Sequence, residues 1–353
     1  MMEIRYKQAN QHTTIHYGET FYQTFAKEQF KGQHLIFFTN QKWYDQLVML
    51  ISDYFVETEI DWYIFSNQLY CQTITELPTV LNFLAKFDQS KEYVFIALGN
   101  EGVVSFTSFL HKHTLLPNDF LVITYTIQSF AHTLTGEFTL IQAPITDCLK
   151  WSDLPQTIYY FDQGLGKTLA TQMIDLASLL LLSAVAEPRF LVQLMQAFPN
   201  QKQLQKRSLV SYIDRIIDGY EKMSTILKHD IIFFEQAFYH VANGHLLSAQ
   251  MKRFLAIFFY LIWQLLQNDK RTQAAQLVNW LHELGYPVQL PHQIVLADYL
   301  TQVQLLVGSQ RLFLKKEPQK YSGSNQHVTT QQLIILIEFY EQQIKELKVN
   351  ERK

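Results

Sequence analysis

The chain has 353 residues, of which 48% are hydrophobic and 17% are charged, and its formal net charge is -3 at pH 7. This composition can fill a sizeable core, so it excludes a disordered or collagen-like chain, and the lack of excess positive charge argues against nucleic-acid binding. The two cysteines, Cys71 and Cys148, exclude a disulfide framework and a zinc site built from four thiolates.

Short apolar runs alternate with helical patterns in the first half of the chain. The predicted strands are His34–Thr39, Ile60–Phe65, Tyr93–Leu98, Phe120–Tyr125 and Thr157–Phe161, and the predicted helices between them are Leu47–Tyr54, Thr73–Phe87 and Val103–His113. Strands that are apolar on both faces and separated by helices are typical of a parallel sheet covered on both sides. Residues 1–163 are therefore predicted to form an α/β, Rossmann-like domain of the nucleotide-binding type.

The second half of the chain is helical in pattern almost to its end. The predicted helices are Thr168–Ala186, Arg189–Phe198, Ser208–Leu227, Ile232–Val241, Leu247–Gln267, Thr272–Leu284, Pro291–Gln302 and Thr330–Lys348. Leu312–Leu314 is interpreted as part of a short strand pair, and the polar stretch Glu317–His327 as a loop. Residues 164–353 are therefore predicted to form a second, all-helical domain.

The cellular location is predicted from the longest apolar runs and from the N-terminus. Leu176–Ala186 and Phe254–Trp263 fall short of the roughly 18–20 apolar residues that span a bilayer. Met1–Asn10 contains no apolar signal core, and a low cysteine count suits a reducing compartment. We therefore expect a cytoplasmic protein that does not associate with membranes.

Ligands of open parallel sheets bind beyond the carboxyl ends of the strands, so the candidate site is predicted there, facing the helical domain. Gly99 and Gly102 flank the turn between a strand and a helix, where backbone N–H groups can hold a pyrophosphate. Glu101 places a carboxylate in the same turn and would repel such a ligand. The turn is thus open to two interpretations, an ordinary strand-to-helix connection or a phosphate-binding turn.

A second candidate site lies around His240 and His245, which are five residues apart with Asn243-Gly244 between them. A zinc ion needs three or four ligands in tetrahedral geometry, and Glu235, with His229 or Asp230, would have to complete the set. The alternative is that both histidines stand at helix ends and make ordinary hydrogen bonds.

Several segments resemble the 3-dehydroquinate synthase family in sequence and spacing. They are Thr13–Gly18, Phe37–Asn40, Ala97–Phe109, Phe120–Gly136 and Tyr286–Val288, and the resemblance extends from about Thr13 to Lys315. It implies an NAD-binding α/β domain followed by a helical domain that binds a divalent metal and the substrate, usually as a dimer. Related sugar phosphate cyclases and the glycerol and iron-type dehydrogenases share this fold.

Few functional residues of the family carry over to this chain. The resemblance implies that Asn40 keeps an NAD contact, that Gly99 and Gly102 belong to the glycine turn, that His240 is the catalytic histidine and that His245 is a metal ligand. Elsewhere charged or ligating family residues are replaced. The replacements are Gln68 and Cys71 in the nucleotide loop, Asn100, Glu101 and Ser105 in the glycine motif, His132 and Phe138 for an aspartate and a lysine, Thr171 and Ile174 for a glutamate ligand and a lysine, Gln236 for a metal histidine, and Gln302, Val303 and Gln304 for an Asp-Lys-Lys run.

The preferred hypothesis is a catalytically degenerate relative of 3-dehydroquinate synthase that uses no cofactor. It would act as a binding, regulatory or partner subunit, as a homodimer or as a heterodimer with an active relative. One alternative is an enzyme with altered chemistry at His132, His240 and His245. The other is an active 3-dehydroquinate synthase of the shikimate pathway, which eliminates phosphate from a heptulosonate phosphate and closes the ring with NAD and a divalent metal such as zinc.

Overall fold

The computed structural model describes the chain except for residues 1, 9, 22–29, 56, 143–145, 164–167, 186–188, 309–311, 315–323, 327 and 351–353. The chain forms two compact units. The first comprises Met1–Thr171 with Ser208–Lys222, and the second comprises Gln172–Arg207 with Met223–Lys353. The predicted boundary between residues 163 and 164 borders the undescribed residues 164–167, and it stays a prediction.

A seven-stranded sheet forms the centre of the first unit, with strand order β1-β2-β9-β6-β5-β3-β4. All its pairings are parallel except the antiparallel β1–β2 pair at one edge. The strands are β1 (Met2–Gln8), β2 (Gln11–Thr20), β3 (His34–Asn40), β4 (Glu59–Phe65), β5 (Tyr93–Leu98), β6 (Asn118–Thr124) and β9 (Thr157–Gln163). The predicted α/β fold class is confirmed.

Helices and a hairpin cover the two faces of this sheet. The elements are α1 (Gln41–Tyr54), α2 (Leu77–Leu84), α3 (Glu101–His113), α4 (Ile127–Leu134) and the antiparallel hairpin of β7 (Glu137–Gln142) and β8 (Thr146–Ser152). Alternate residues of the central strand β5 enter two separate cores, with Phe95 packing beneath α3 and Ile96 beneath α1. Every residue of β5 is buried, which explains why its sequence is a continuous apolar run.

The second unit consists mainly of helices. They are α5 (Leu169–Val185), α6 (Arg189–Ala197), α7 (Gln201–Lys206), α8 (Ile213–His240), α9 (Ala249–Gln267), α10 (Arg271–Glu283), α11 (Leu296–Val307) and α12 (Thr330–Asn350), of which α5 and α8 begin in the first unit. Phe254–Gln264 of α9 are buried on all sides, so this helix lies inside the unit. Leu312–Leu314 is confirmed as part of a strand pair, β10 (Leu312–Leu314) with β11 (Ser324–Gln326), and β11 corrects the loop predicted over Glu317–His327.

Several predicted elements need correction. The two helices predicted between Ser208 and Val241 form one helix, α8, preceded by a 3-10 turn. The helix predicted over Thr73–Phe87 is shorter, because Ile74–Glu76 is a 3-10 turn and α2 ends at Leu84. The β1–β2 pair, α4 and the β7–β8 hairpin have no counterpart among the predictions, although β1 alternates apolar and polar residues as a half-buried strand does.

Candidate functional site

Asn40 connects the carboxyl ends of three neighbouring strands. It follows directly from the apolar run of β3 and is only 2% exposed. Its Nδ2 donates to the carbonyl oxygen of Ser66 at 2.6 Å, and its Oδ1 accepts from the backbone N–H of Asn100 at 3.0 Å. Both the oxygen and the nitrogen of the Asn40 amide are therefore hydrogen-bonded within the protein. Asn40 is the residue for which the resemblance implies an NAD contact.

Asn100 caps helix α3 and ties the following turn to the loop after β4. Its Oδ1 accepts from the N–H of Val103 at 3.1 Å, and its Nδ2 donates to the carbonyl oxygen of Gln68 at 2.7 Å. Asparagine is among the preferred residues at a helix N-cap, because its side-chain oxygen satisfies a backbone donor that the helix leaves unpaired. Two N–H groups of this turn, those of Asn100 and Val103, thus bind side-chain oxygens of the chain.

Gly99 and Gly102 are required by packing within the protein. A Cβ atom at Gly99 would lie 2.8 Å from Asn40 Oδ1, and one at Gly102 would lie 2.6 Å from Gln72 Oε1 and 2.8 Å from the backbone nitrogen of Cys71. Such distances are too short for any side chain. In dinucleotide-binding turns the glycine lets the backbone approach a pyrophosphate. Here the close neighbour of Gly102 is the chain's own Cys71–Gln72 segment.

Cys71, which packs against Gly102, has an unreactive thiol. Burial raises the pKa of its thiol to about 12, although hydrogen bonds from its own backbone and from Asn40 act in the opposite direction. The thiol is therefore protonated at neutral pH and is not a nucleophile.

The carboxyl side chain of Glu101 lies in the first turn of α3, where a bound anion would otherwise lie, and the residue is 7% exposed. A carboxylate in the first helical turn interacts favourably with the helix dipole, as a bound phosphate would. Together with Asn40, Asn100 and Gln72, it makes this turn a poor fit for the phosphates of a dinucleotide. We therefore derive no reaction step that uses NAD.

The structure brings Ser105 and His132 together. Ser105 Oγ and His132 Nε2 are 2.9 Å apart, so the pair joins α3 to α4, and the His132 ring also packs edge-on against Phe138. A serine hydroxyl beside an imidazole has the composition of a nucleophile and its base. Ser105 is only 1% exposed, however, so a substrate atom cannot reach its oxygen in this conformation.

Two positions at which the resemblance implies a lysine are buried apolar side chains. Phe138 and Val303 are fully buried, the first among the side chains beneath α3 and the second in α11. Gln304, which also replaces a lysine, donates through Nε2 to the carbonyl oxygen of Val328 at 3.1 Å. These three side chains offer no cation to a phosphorylated or carboxylated ligand.

His240 and His245 are both exposed, the first at the end of α8 and the second in the 3-10 turn Gly244–Leu246. Among the side chains that the structure describes, no set of three histidine, cysteine or carboxylate ligands includes either of them. His229 and Asp230 are not among these side chains. Glu235, the remaining ligand that we proposed, is bound instead by Arg253, whose Nε lies 2.9 Å from its Oε2.

Lys252, on α9, lies close to this ion pair and is only 7% exposed. Its Nζ lies 3.7 Å from the centre of the Tyr239 ring, a cation–π contact. The Tyr239 hydroxyl is buried and has no hydrogen-bond partner among the described residues. Glu235, Tyr239, Lys252 and Arg253 are here called the α8–α9 cluster. Sequence analysis considered Glu235 but missed Lys252, because a lysine in an otherwise apolar helix resembles an ordinary surface residue.

Lys252 should make the stability of the protein depend on alkaline pH. Burial lowers the pKa of Lys252, and Glu235 acts in the opposite direction. The folded chain therefore releases this proton at a lower pH than the unfolded chain, in which lysine titrates at about pH 10.4. In that interval the unfolded chain holds more protons, and the free energy of unfolding rises with pH. We expect this rise to be smaller in Lys252→Met when urea unfolding is measured between about pH 7 and pH 10. The exposed Lys345→Met is the control and should keep the wild-type slope; equal slopes in all three proteins would contradict the expectation.

One further cluster was not anticipated from the sequence. His34 at the start of β3 lies beside two acidic residues of β4, with Nδ1 3.3 Å from Glu59 and Nε2 2.7 Å from Asp61. The two ring nitrogens face different carboxylates, and the three residues offer one ligand atom each within 4.8 Å of one another. Only the register of β3 on β4 creates this group, since the residues are 25 and 27 positions apart in the chain.

No protein-family model and no curated protein matches the sequence. Solved structures do match over nearly the whole chain. A 2-deoxy-scyllo-inosose synthase, solved with carbaglucose-6-phosphate, NAD+ and Co2+, has a TM-score of 0.69 at 10% identity, covering 95% of this chain and 99% of its own. The 2-epi-5-epi-valiolone synthase of Streptomyces hygroscopicus, solved with NAD+ and Zn2+, has a TM-score of 0.72 at 11% identity, covering 95% and 98%.

Glycerol dehydrogenase of Schizosaccharomyces pombe is similar at a TM-score of 0.57 and 10% identity, covering 91% of this chain and 87% of its own. The chain therefore has the fold of the dehydroquinate synthase-like sugar phosphate cyclases. Within the described residues, no helix is both long and apolar enough to cross a membrane.

Proposed function

We propose that this chain is a catalytically degenerate relative of the sugar phosphate cyclases that acts as a binding, regulatory or partner subunit. It works without NAD and without a catalytic metal ion. It assembles either with a second copy of itself or with an active relative. The proposal keeps the fold of the cyclases and assigns the chain a role that does not depend on turnover.

The closed turn at the start of α3 is the observation that carries this proposal. Asn40 and Asn100 occupy two backbone N–H groups of the turn, and Cys71 and Gln72 lie where the backbone of Gly102 would approach a pyrophosphate. Glu101 adds a negative charge at the same place. If one of these contacts were removed, the others would remain, so a small rearrangement of the turn does not make it able to bind a pyrophosphate.

The missing cations support the same conclusion. A phosphorylated, carboxylated substrate needs several charge-assisted hydrogen bonds, each contributing about 1.5–3 kcal/mol. Phe138 and Val303 are buried apolar side chains, and the Gln304 amide is bound to the Val328 carbonyl. Without those bonds a substrate of this class would lose most of its binding free energy.

The direct test is NAD binding to the purified full-length chain, measured by equilibrium dialysis with labelled NAD+. We expect no saturable binding at millimolar cofactor, while a 3-dehydroquinate synthase treated in parallel binds it. Phosphate release from the heptulosonate phosphate is then measured with added NAD+ and zinc. Turnover at an ordinary enzymatic rate, about 1 per second or faster, would show that the chain is an active synthase and would refute the proposal.

A further inference from the structure

The imidazole ring of His34, at the start of β3, is held in place by aromatic neighbours. The side chain is 12% exposed, and its ring centre lies 5.1 Å from that of Tyr93 and 5.6 Å from that of Phe87. Tyr93 is the residue paired with His34 on the neighbouring strand β5. Because packing already fixes the ring, a ligand that binds one of its nitrogens orders little that is not ordered beforehand.

Two carboxylates of the edge strand β4 face the same ring from its other side. Glu59 is paired with His34 in the parallel register, and Asp61, two residues further along, lies on the same face of β4. Glu59 Oε2 is 3.3 Å from His34 Nδ1, and Asp61 Oδ2 is 2.7 Å from His34 Nε2. One ligand atom from each of the three residues lies within 4.8 Å of the other two. His34, Glu59 and Asp61 are here called the β3–β4 cluster.

The β3–β4 cluster has the charge that favours a bound dication. In the described part of the chain, neither Glu59 nor Asp61 forms an ion pair with a lysine or an arginine, and their shared partner is the His34 ring. Two carboxylates at this separation repel each other. A proton on the imidazole compensates at most one of the two negative charges, whereas a divalent ion compensates both.

The types of ligand atom indicate which dication fits. An imidazole nitrogen with two carboxylate oxygens is a donor set that zinc accepts, while magnesium and calcium favour oxygen ligands alone. Zinc bonds of about 2.0–2.2 Å in tetrahedral geometry place neighbouring ligand atoms about 3.4 Å apart. The two ring-to-carboxylate separations of 3.3 and 2.7 Å are near this value. Glu59 and Asp61 have side chains that are 69% and 43% exposed, so both have room to rotate toward one ion.

We propose that the β3–β4 cluster binds one divalent transition-metal ion of the class of Zn2+. One ring nitrogen of His34 and one carboxylate oxygen from each of Glu59 and Asp61 are the protein ligands, and water completes the set on the exposed side. The ion has a structural role, because it joins the edge strand β4 to β3. The inference does not rest on the proposed function, since the seven residues of β3 place His34 about 20 Å from Asn40 and the α3 turn.

The test is isothermal titration calorimetry on the full chain after metal is removed with EDTA and the chelator is washed out. We expect saturable binding of one Zn2+ per chain and no saturable binding of Mg2+. His34→Gln should abolish the zinc site, and Glu59→Gln and Asp61→Asn should each weaken it by at least about tenfold, since even residues that only support metal ligands contribute about 10–100-fold. The exposed His292→Gln is the matched control and should keep the wild-type affinity.

Thermal unfolding with and without Zn2+ provides a second measurement, because an ion that binds the folded chain raises its unfolding temperature. Glu59 is largely exposed, so Glu59→Gln tests the site even if His34→Gln does not fold. The proposal is overturned by the absence of saturable zinc binding, by zinc binding that is unchanged in Glu59→Gln and Asp61→Asn, or by equal binding of Mg2+. None of these results bears on NAD binding, so this inference and the proposed function can fail separately.

Discussion

Replacing Phe138 with lysine is expected to lower the free energy of unfolding by about 4 kcal/mol or more, and not to restore a substrate contact. The resemblance places a substrate lysine of the cyclases at this position. In this chain Phe138 is fully buried between the His132 ring and Trp151, in the core beneath α3. A lysine there loses the packing of an aromatic ring and places an ammonium in an apolar environment.

Urea unfolding followed by circular dichroism measures this effect, and two variants serve as controls. Phe138→Leu keeps an apolar side chain and should cost about 1 kcal/mol. Leu149→Lys introduces the same lysine into the same hairpin at a side chain that is 47% exposed, and should change stability by no more than about 0.5 kcal/mol. A Phe138→Lys variant that keeps wild-type stability would mean that position 138 can reach solvent or a ligand, which would favour an active synthase.

Replacing Glu235 with glutamine is expected to lower the free energy of unfolding by about 2–3 kcal/mol. The carboxylate is the one anion of the α8–α9 cluster, and its loss leaves Arg253 and Lys252 as neighbouring cations. Breaking a buried ion pair by removing one partner usually costs about 3–5 kcal/mol, and the partial exposure of Arg253, at 22%, reduces that figure. Glutamine keeps the shape of the side chain, so the decrease in the free energy of unfolding measures the contribution of the negative charge.

A double variant shows whether Lys252 belongs to the same electrostatic unit. Lys252→Met should stabilise the protein more in the Glu235→Gln background than in the wild type, because Glu235 no longer offsets the ammonium. Chemical unfolding of the four proteins gives the coupling free energy directly. The exposed Glu338→Gln on α12 is the matched control and should change stability by no more than about 0.5 kcal/mol. Strictly additive effects would separate Lys252 from the ion pair.

The proposed function requires a cyclase fold that persists without NAD and without a catalytic metal ion. Two cyclases similar to this chain were solved with NAD+ and a divalent metal ion, and one of them also with carbaglucose-6-phosphate. In this chain, Asn40 and Asn100 accept backbone N–H groups of the α3 turn, and Glu101 lies in the first turn of α3.

Local sequence patterns were sufficient for five of the seven strands of the central sheet, β3, β4, β5, β6 and β9. Runs such as Tyr93–Leu98 are apolar throughout, and a strand buried on both faces between helices admits few other interpretations. The β7–β8 hairpin was missed because its outer strand, Thr146–Ser152, is almost entirely exposed and lacks an alternating pattern. The break predicted within α8 was also wrong, since polar residues around Lys228–Asp230 interrupt the apolar period without ending the helix.

For the candidate site, the sequence determined which residue types are present, and the resemblance predicts that charges of the family are missing. Spacing along the chain could not reveal that Asn40 binds the backbone of Asn100, that Gly102 packs against Cys71, or that Lys252 lies over Tyr239. Those contacts join residues that are distant in the chain or face one another from separate helices. Only the tertiary structure decided them, because the pairing of strands and the packing of helices determine which side chains meet and which are removed from water.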